Sequence, residues 1–107
     1  MENKYAKQRI IKDIKNSDEK IQVTGYVKSL AEDHFILNDK SDEIKVDFET
    51  FEMKLKENDL VNVIGVLIIS VEGEKTINAE IIQDMNNLNF KYYQKLYQLK
   101  KELEDTK

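Results

Sequence analysis

The chain has no cysteine and no proline, and it contains only three glycines. Without cysteine, neither a disulfide framework nor a thiolate zinc site can form, which fits a reducing, intracellular compartment. The scarcity of proline and glycine leaves no segment with linker composition, so a single domain over residues 1–107 is expected. The longest apolar run, Val66–Ile69, is far too short to span a membrane. The first nine residues are polar, so no secretory signal is expected.

Signatures of catalysis are also missing. His34 is the only histidine, and a metal site would need further suitable ligands near it, so we expect an ordinary surface histidine. The 21 acidic residues are scattered rather than paired for general acid–base chemistry. Neither a glycine-rich phosphate loop nor a nucleophile elbow occurs. The sequence therefore predicts a protein that is not an enzyme and that uses no metal or cofactor.

The charge balance is acidic. Asp and Glu outnumber Lys and Arg by 21 to 17, for a net charge of −4. Proteins that bind nucleic acid on their own usually present a basic surface. An acidic total does not exclude a local basic groove, but strong binding by this chain alone is not expected.

Alternation of apolar and polar residues predicts five short strands. In the first strand Ile21, Val23 and Val27 should point inward, and in the last strand Ile77, Ala79 and Ile81. Glycines interrupt the first and fourth strands, as expected for bulges or bends in a small barrel. The predicted strands are Lys20–Ser29, His34–Asn38, Ile44–Phe48, Leu60–Ser70 and Thr76–Ile82.

Three helices are predicted around these strands. Ile10 and Ile14 indicate a short helix over Tyr5–Ile14, and the spacing of Phe48, Phe51 and Leu55 indicates one over Glu49–Leu55. Asn89 can cap a helix over residues 90–104, and Asn86 and Asn87 are alternative caps. Five strands with a helix between the third and fourth is the order of an oligonucleotide/oligosaccharide-binding (OB) barrel. The expected fold is therefore all-β with flanking helices, a five-stranded OB barrel over residues 5–85 and a C-terminal helix over 89–104.

Several segments resemble signature strands of nucleic-acid-binding OB domains. They are Val23–Val27, Phe35–Asp39 and Val61–Gly65. The ending Leu88-Asn89-Phe90, with Tyr93 and Tyr97, resembles the smallest subunit of replication protein A. The turn Asp39–Asp42 departs from related OB domains, which often carry glycines there. Three kinds of protein share this architecture. They are the middle subunit of replication protein A, the small subunit of the CST telomere complex, and telomerase-associated paralogues of replication protein A.

This resemblance implies a non-catalytic subunit of a complex that binds single-stranded DNA in replication, repair or telomere maintenance. In the family, the C-terminal helix joins a bundle with helices of two larger OB subunits. The resemblance thus implies a heterotrimer, in the nucleus if the organism is eukaryotic, that contacts DNA mainly through the complex. No membrane and no small-molecule substrate is implied.

The C-terminal helix carries two apolar stripes. Tyr92, Leu96, Leu99 and Leu103 form a seam with coiled-coil-like spacing, and Phe90, Tyr93 and Tyr97 form a second stripe beside it. A helix that only covers a barrel needs one stripe, so two stripes predict a partner helix at the seam. The alternative is that one broad stripe simply packs on this barrel.

The outer barrel face is the candidate nucleic-acid interface, with Tyr26, Lys28 and Lys45 as its binding residues. One stacked base contributes roughly 1–3 kcal/mol, whereas micromolar binding requires about 8 kcal/mol. One aromatic and two lysines, opposed by Asp47, fall short of that. A self-sufficient single-strand binder for DNA or RNA is thus the second hypothesis, and an ordinary solvated sheet face is the simpler explanation. The outward positions predicted here are Thr24, Tyr26, Lys28, His34, Ile36, Asn38, Lys45 and Asp47.

Overall fold

The computed structural model describes residues 6–48 and 54–105 of the chain. Within these ranges the five long strands follow the predicted order, and a helix of 16 residues comes after them. No helix in the described ranges is long and apolar enough to cross a membrane. The elements are β1 (Lys7–Gln8), a 3-10 helix (Ile11–Asp13), β2 (Lys20–Lys28), β3 (His34–Asn38), β4 (Glu43–Asp47), β5 (Leu60–Ile69), β6 (Lys75–Asp84) and α1 (Phe90–Asp105).

Five of the strands close into a barrel. Strand β2 pairs antiparallel with β5 along its first part and with β3 along its last part. The ladder continues antiparallel from β3 to β4, and β5 pairs antiparallel with β6. The circle is completed by β4 and β6, which run parallel from Lys45↔Thr76 to Asp47↔Asn78. The predicted five-stranded OB barrel with a C-terminal helix is therefore confirmed, with the short β1 added beside β2.

The barrel interior is filled by the inward residues that the alternation predicts. Ile21, Val23 and Val27 of β2 are fully buried. Phe35 and Leu37 of β3 are fully buried as well, and they form one core cluster with residues of the other strands. Each such side chain contributes roughly 1.5–3 kcal/mol to folding. Period-two alternation thus places the core on the correct side of each of these strands.

Two glycines lie where strands approach too closely for a side chain. A Cβ on Gly65 would lie 2.2 Å from the backbone oxygen of Asn78, and one on Gly25 would lie 2.9 Å from that of Asn38. Gly25 sits where β2 leaves β5 and joins β3. Gly65 adjoins the one register shift between β5 and β6. The predicted bulge is confirmed at Gly65, and at Gly25 the reason for glycine is close backbone approach.

That register shift makes one inward assignment wrong. Ile64 pairs with Ile81, but the next residue, Gly65, pairs with Ala79, so β6 carries one extra residue, Glu80. The extra residue reverses the side-chain alternation beyond it. Ile82 is consequently buried, whereas Ile81, predicted to point inward, is half exposed.

The predicted N-terminal helix over Tyr5–Ile14 is also wrong over the described residues 6–14. Lys7 and Gln8 form β1, which runs parallel to β2, and a single 3-10 turn follows. Ile11 and Ile14 are the buried pair, at 3-10 spacing rather than the α-helical spacing of Ile10 and Ile14. Backbone partners on β2 and the Asp39 carboxylate bind this segment, so its N–H groups need no helix.

The glycine-free turn after β3 is held by a buried aspartate. The Asp39 carboxylate accepts hydrogen bonds from the Ile11 backbone N–H at 2.7 Å and from the Ser41 N–H and hydroxyl at 2.9 and 2.6 Å. Lys40 adopts φ 73°, where glycine is usual, and its N–H donates to Asn38 Oδ1 at 2.8 Å. Side-chain hydrogen bonds thus substitute for glycine at this turn.

The predicted helix over Glu49–Leu55 lies mostly outside the described residues. Residues 54 and 55 have no regular structure. Leu55 is half-buried and packs against the core cluster, as does Phe48 at the end of the preceding segment. The Phe48 and Phe35 ring centroids lie 5.7 Å apart, so Phe48 contributes to the core as the strand pattern predicts.

Candidate functional site

Helix α1 begins at the predicted cap. Asn89 Oδ1 accepts a hydrogen bond from the Tyr92 N–H at 3.1 Å, which satisfies one of the N–H groups left open in the first turn. The helix then runs to Asp105. Its start is therefore set locally, and its rotation about its own axis decides which side chains meet the barrel.

One side of α1, defined here by Phe90, Tyr93 and Tyr97 and called the inner stripe, packs against the barrel. Phe90 and Tyr97 are buried. The Phe90 ring meets Tyr26 edge-on with centroids 5.2 Å apart, and it stacks against Tyr93 at 6.1 Å. The inner stripe thus anchors the helix across β2 by aromatic contacts.

Hydrogen bonds fix the inner stripe over the N-terminal segment. Gln8 Nε2 donates to the Tyr93 hydroxyl at 2.9 Å. The Tyr97 hydroxyl and the Lys101 ammonium both donate to Asp13 Oδ2, at 3.1 and 2.9 Å. Burial alone would raise the pKa of Asp13, but the hydrogen bonds from Lys101 and Tyr97 outweigh it and lower that pKa. Burial raises the pKa of Tyr97, so its hydroxyl remains a donor to Asp13.

The opposite side of α1 presents large apolar side chains to solvent. We call these four residues, which are the predicted seam, the outer stripe. Their exposed fractions are 60% for Tyr92, 43% for Leu96, 55% for Leu99 and 66% for Leu103. Runs of exposed large apolar residues on one face commonly mark interaction sites. The broad-stripe alternative, in which all these residues pack on the barrel, does not describe this helix.

On the outer face of the barrel, the Tyr26 ring contacts other side chains and is not fully accessible to solvent. Besides its edge-on contact with Phe90, the Tyr26 ring has the Lys40 ammonium 5.6 Å from its centroid. A cation at that distance is attracted to the aromatic face. Base stacking on Tyr26 would have to displace Lys40, so the face is less available than a sequence pattern indicates.

The two lysines predicted beside Tyr26 also contact neighbours. The Lys28 ammonium donates to Asn58 Oδ1, and the Lys45 ammonium lies 3.7 Å from Asp47 Oδ1. Lys45 and Asp47 are each about half exposed, so this ion pair is weak. The assignment of Tyr26, Lys28 and Lys45 to nucleic-acid binding stays a prediction.

Thr24, predicted to point outward, is buried with 3% exposed. Its hydroxyl donates to Asn62 Oδ1 at 2.9 Å, and the Asn62 amide donates to Gln22 Oε1 and Gln83 Oε1 at 3.2 and 3.1 Å. Alternation places Thr24 on the outer face correctly, but the amide side chains beside it cover that face. The polar ladder across β2, β5 and β6 is therefore structural.

His34 pairs with a neighbour along the chain. Its Nδ1 lies 2.9 Å from Asp33 Oδ1, and its side chain is 37% exposed. In residues 6–48 and 54–105, no cluster of three or more His, Asp or Glu side chains is arranged to hold a metal ion.

Sequence patterns do not identify a basic groove between β1 and the second half of α1. The groove has a volume of about 500 Å³, and its cations come from both ends of the chain. Because the two segments are far apart in the sequence, only the folded chain brings their cations together. The cations that line the basic groove are Lys7, Arg9, Lys15, Lys100 and Lys101, together with the neutral side chains of Gln8, Gln22 and Tyr97.

Solved structures similar to this one share its fold. The Stn1–Ten1 complex of S. pombe contains a chain with TM-score 0.73 and 18% identity, matched over 92% of this chain and 93% of that one. The telomere capping protein Ten1 from Saccharomyces pombe matches with TM-score 0.72 and 18% identity over 92% of this chain and 99% of that one. A replication protein A heterotrimer bound to ssDNA contains a chain with TM-score 0.53 and 15% identity, matched over 63% of this chain and 57% of that one.

No protein-family profile matches the sequence, and no curated protein matches it. The similarity is thus one of structure at low sequence identity, and it establishes the OB barrel with its C-terminal helix. The predicted resemblance to OB subunits of replication protein A-like complexes is confirmed for the fold.

Proposed function

We propose that the chain is a non-catalytic OB-fold subunit of a replication protein A-like complex that binds single-stranded DNA. It assembles with a larger OB-fold protein through the outer stripe of α1. The complex acts in DNA replication, repair or telomere maintenance, and in the nucleus if the organism is eukaryotic. In this role the chain stabilises a DNA-binding partner rather than supplying most of the DNA contacts itself.

The exposed outer stripe is the observation that carries this proposal. The four side chains lie along one line of a helix whose other side is already anchored to the barrel. Burial of each large apolar side chain would contribute roughly 1.5–3 kcal/mol, enough together for a stable helix–helix contact. A neighbouring helix with the same spacing can insert its side chains between these four.

The structural relatives support the assembly. One of them is a chain of the Stn1–Ten1 complex, and another belongs to a heterotrimer bound to ssDNA. The matched chain of the Stn1–Ten1 complex has a similar barrel, and the match covers 92% of this chain. We propose specifically that the complex is a heterotrimer and that the partner subunits make most of its contacts with single-stranded DNA.

A self-sufficient single-strand binder that uses Tyr26, Lys28 and Lys45 is the weaker alternative. Tyr26 already contacts Phe90 and Lys40, and Lys45 lies beside Asp47. The net charge of −4 also opposes binding of a polyanion by the chain as a whole.

The test is association of the tagged full chain with its partner in cells of the source organism. The wild-type chain is expected to co-purify with a larger OB-fold protein, identified by mass spectrometry. Replacing Leu96→Asp together with Leu99→Asp should abolish this association, because two carboxylates would be buried in an apolar contact. Circular dichroism of the purified variant should show an intact barrel, since both residues are exposed in the chain alone.

The matched control is Lys91→Asp with Gln98→Asp, two exposed positions on another side of the same helix. This control adds the same number of carboxylates to α1 and should keep the partner. Association that survives the Leu96 and Leu99 changes would contradict the proposal. Unfolding of the barrel by those changes would instead show that the outer stripe packs within the chain.

A further inference from the structure

We propose that the basic groove binds phosphate groups of single-stranded nucleic acid through Lys7, Lys15 and Lys100. This proposal deepens the proposed function and rests on it for the class of ligand. It assigns a nucleic-acid contact to a part of the chain distinct from the barrel face around Tyr26 and from the outer stripe.

The groove concentrates positive charge on an acidic protein. Among the described residues, five cations and one acidic residue, Asp13, line it. Asp13 pairs with Lys101 and Asp18 pairs with Arg9, so the groove keeps a net charge of +3, whereas the full chain carries −4. Charge separated in this way focuses an attractive potential for anions at one concave surface.

Two of the five cations are already committed to structure. The Arg9 guanidinium donates two hydrogen bonds of 2.9 Å to the Asp18 carboxylate, and both side chains are nearly buried. Lys101 donates to Asp13, which Tyr97 also contacts. These pairs hold β1, the 3-10 turn and α1 together, and these segments line the groove.

Three lysines remain to meet a ligand. Lys7 and Lys15 are exposed and form no ion pair within the described part of the chain. Lys100 is exposed, and its ammonium donates to the neutral Gln8 Oε1 at 3.3 Å, with no carboxylate partner in residues 6–48 and 54–105. An anion in the groove would therefore gain three ammonium contacts without breaking an existing ion pair.

The chemistry of these groups favours phosphates over bases or carboxylates. The aromatic ring at the groove, Tyr97, is 8% exposed and offers no surface for stacking a base. The Arg9 guanidinium could bind a carboxylate through two hydrogen bonds, but it is already paired in this way with Asp18. Lysines act as point charges and suit the repeated single charges of a phosphodiester backbone.

The position of the groove also fits a nucleic-acid strand. Gln22 of β2 lines it, and Tyr26 lies four residues further along the same face of that strand. A backbone held in the groove would therefore run beside the outer face of the barrel. The contact is sequence-independent, because no base edge is recognised.

The test is a nuclear magnetic resonance titration of the ¹⁵N-labelled full chain with a short oligothymidylate at low salt. This measurement detects binding even in the millimolar range. Amide shifts are expected at residues 6–9, 13–15 and 97–101. The three-lysine variant Lys7→Gln, Lys15→Gln, Lys100→Gln should lose these shifts while its spectrum remains that of a folded protein.

Salt dependence gives the quantitative readout. The slope of log K against log salt should decrease by about 0.7 for each lysine removed, or roughly 2 for all three, and affinity at about 50 mM salt should fall by about tenfold or more. The matched control Lys54→Gln, Lys56→Gln, Lys75→Gln removes the same charge outside the groove. This control should retain the groove shifts and most of the slope.

Three results would overturn the proposal. They are the absence of shifts at millimolar oligonucleotide, shifts confined to Tyr26, Ile36 and Lys45 on the barrel face, and equal shifts with polyglutamate of the same charge. The last result would show that the groove attracts any polyanion and does not select a phosphate backbone. Partner association is a separate readout, because the three-lysine variant should keep the partner and the Leu96 and Leu99 variant should keep the oligonucleotide shifts.

Discussion

The two sides of α1 carry similar apolar residues but have opposite environments. Phe90 and Tyr97 of the inner stripe are buried against the barrel, whereas Leu99 and Leu103 of the outer stripe are more than half exposed. Apolar side chains stabilise a fold only when they leave water. The inner stripe should therefore determine the stability of the isolated chain, and the outer stripe should determine what it associates with.

The largest effect is expected from Phe90→Ala. Phe90 is 7% exposed and contacts both Tyr26 and Tyr93, so truncation removes a buried ring and leaves a cavity. The free energy of unfolding should fall by about 3–5 kcal/mol. Urea denaturation followed by circular dichroism measures this change. An unchanged midpoint would show that α1 contributes nothing to the stability of the barrel, and the comparison between its two sides would fail.

A smaller effect is expected from Asp13→Asn, which weakens the bonds to Tyr97 and Lys101 at the far end of the inner stripe. Unfolding at neutral pH should become easier by about 1 kcal/mol, since a charge-assisted hydrogen bond at a partly exposed site is lost. Matched denaturation curves of Asp13→Asn and wild-type protein measure the change. The Leu99→Ala variant serves as a control from the other side of the helix.

The same contact predicts a pH dependence with a definite sign. The pKa of Asp13 is lower in the folded chain than its ordinary value, so the stabilisation is present at neutral pH. It should be lost as the pH falls below about 4. Asp18, whose pKa is also lowered, adds a contribution of the same sign. If wild type and Asp13→Asn lose stability in parallel below this pH, Asp13 does not hold the helix.

The smallest effect is expected from Leu99→Ala in the isolated chain. Leu99 is 55% exposed, and the free energy of unfolding should change by no more than about 0.5 kcal/mol. Thermal denaturation of the purified chain is a sufficient measurement. A loss similar to that of Phe90→Ala would place Leu99 in an intramolecular contact and remove the distinction between the two stripes.

Sequence patterns predicted the strands well because alternation is a local property. The inward residues of β2 and β3 were correctly assigned, and so were the cap at Asn89 and the presence of two stripes on α1. Errors occurred where tertiary contacts override local preference. The segment before β2 became a strand and a 3-10 turn because β2 and Asp39 supply its hydrogen-bond partners.

The candidate sites divide in the same way. The outer stripe is visible in the sequence because its four residues share one helix and one period. Lys7 and Lys100 are 93 positions apart in the chain, and no local pattern joins them. They line one groove only because α1 crosses the start of the chain.

The order of residues was by itself enough to specify an OB barrel with a two-sided helix, because periodicity and capping act between residues close in the chain. The tertiary structure decided which side of α1 meets the barrel, whether Tyr26 is covered by other side chains, and where Ile81 points. Each of these depends on a distant partner, namely the docking of Phe90, the approach of Lys40, and the extra residue opposite Gly65. Contacts between residues far apart in the chain arise from packing, and packing is not encoded in any single segment.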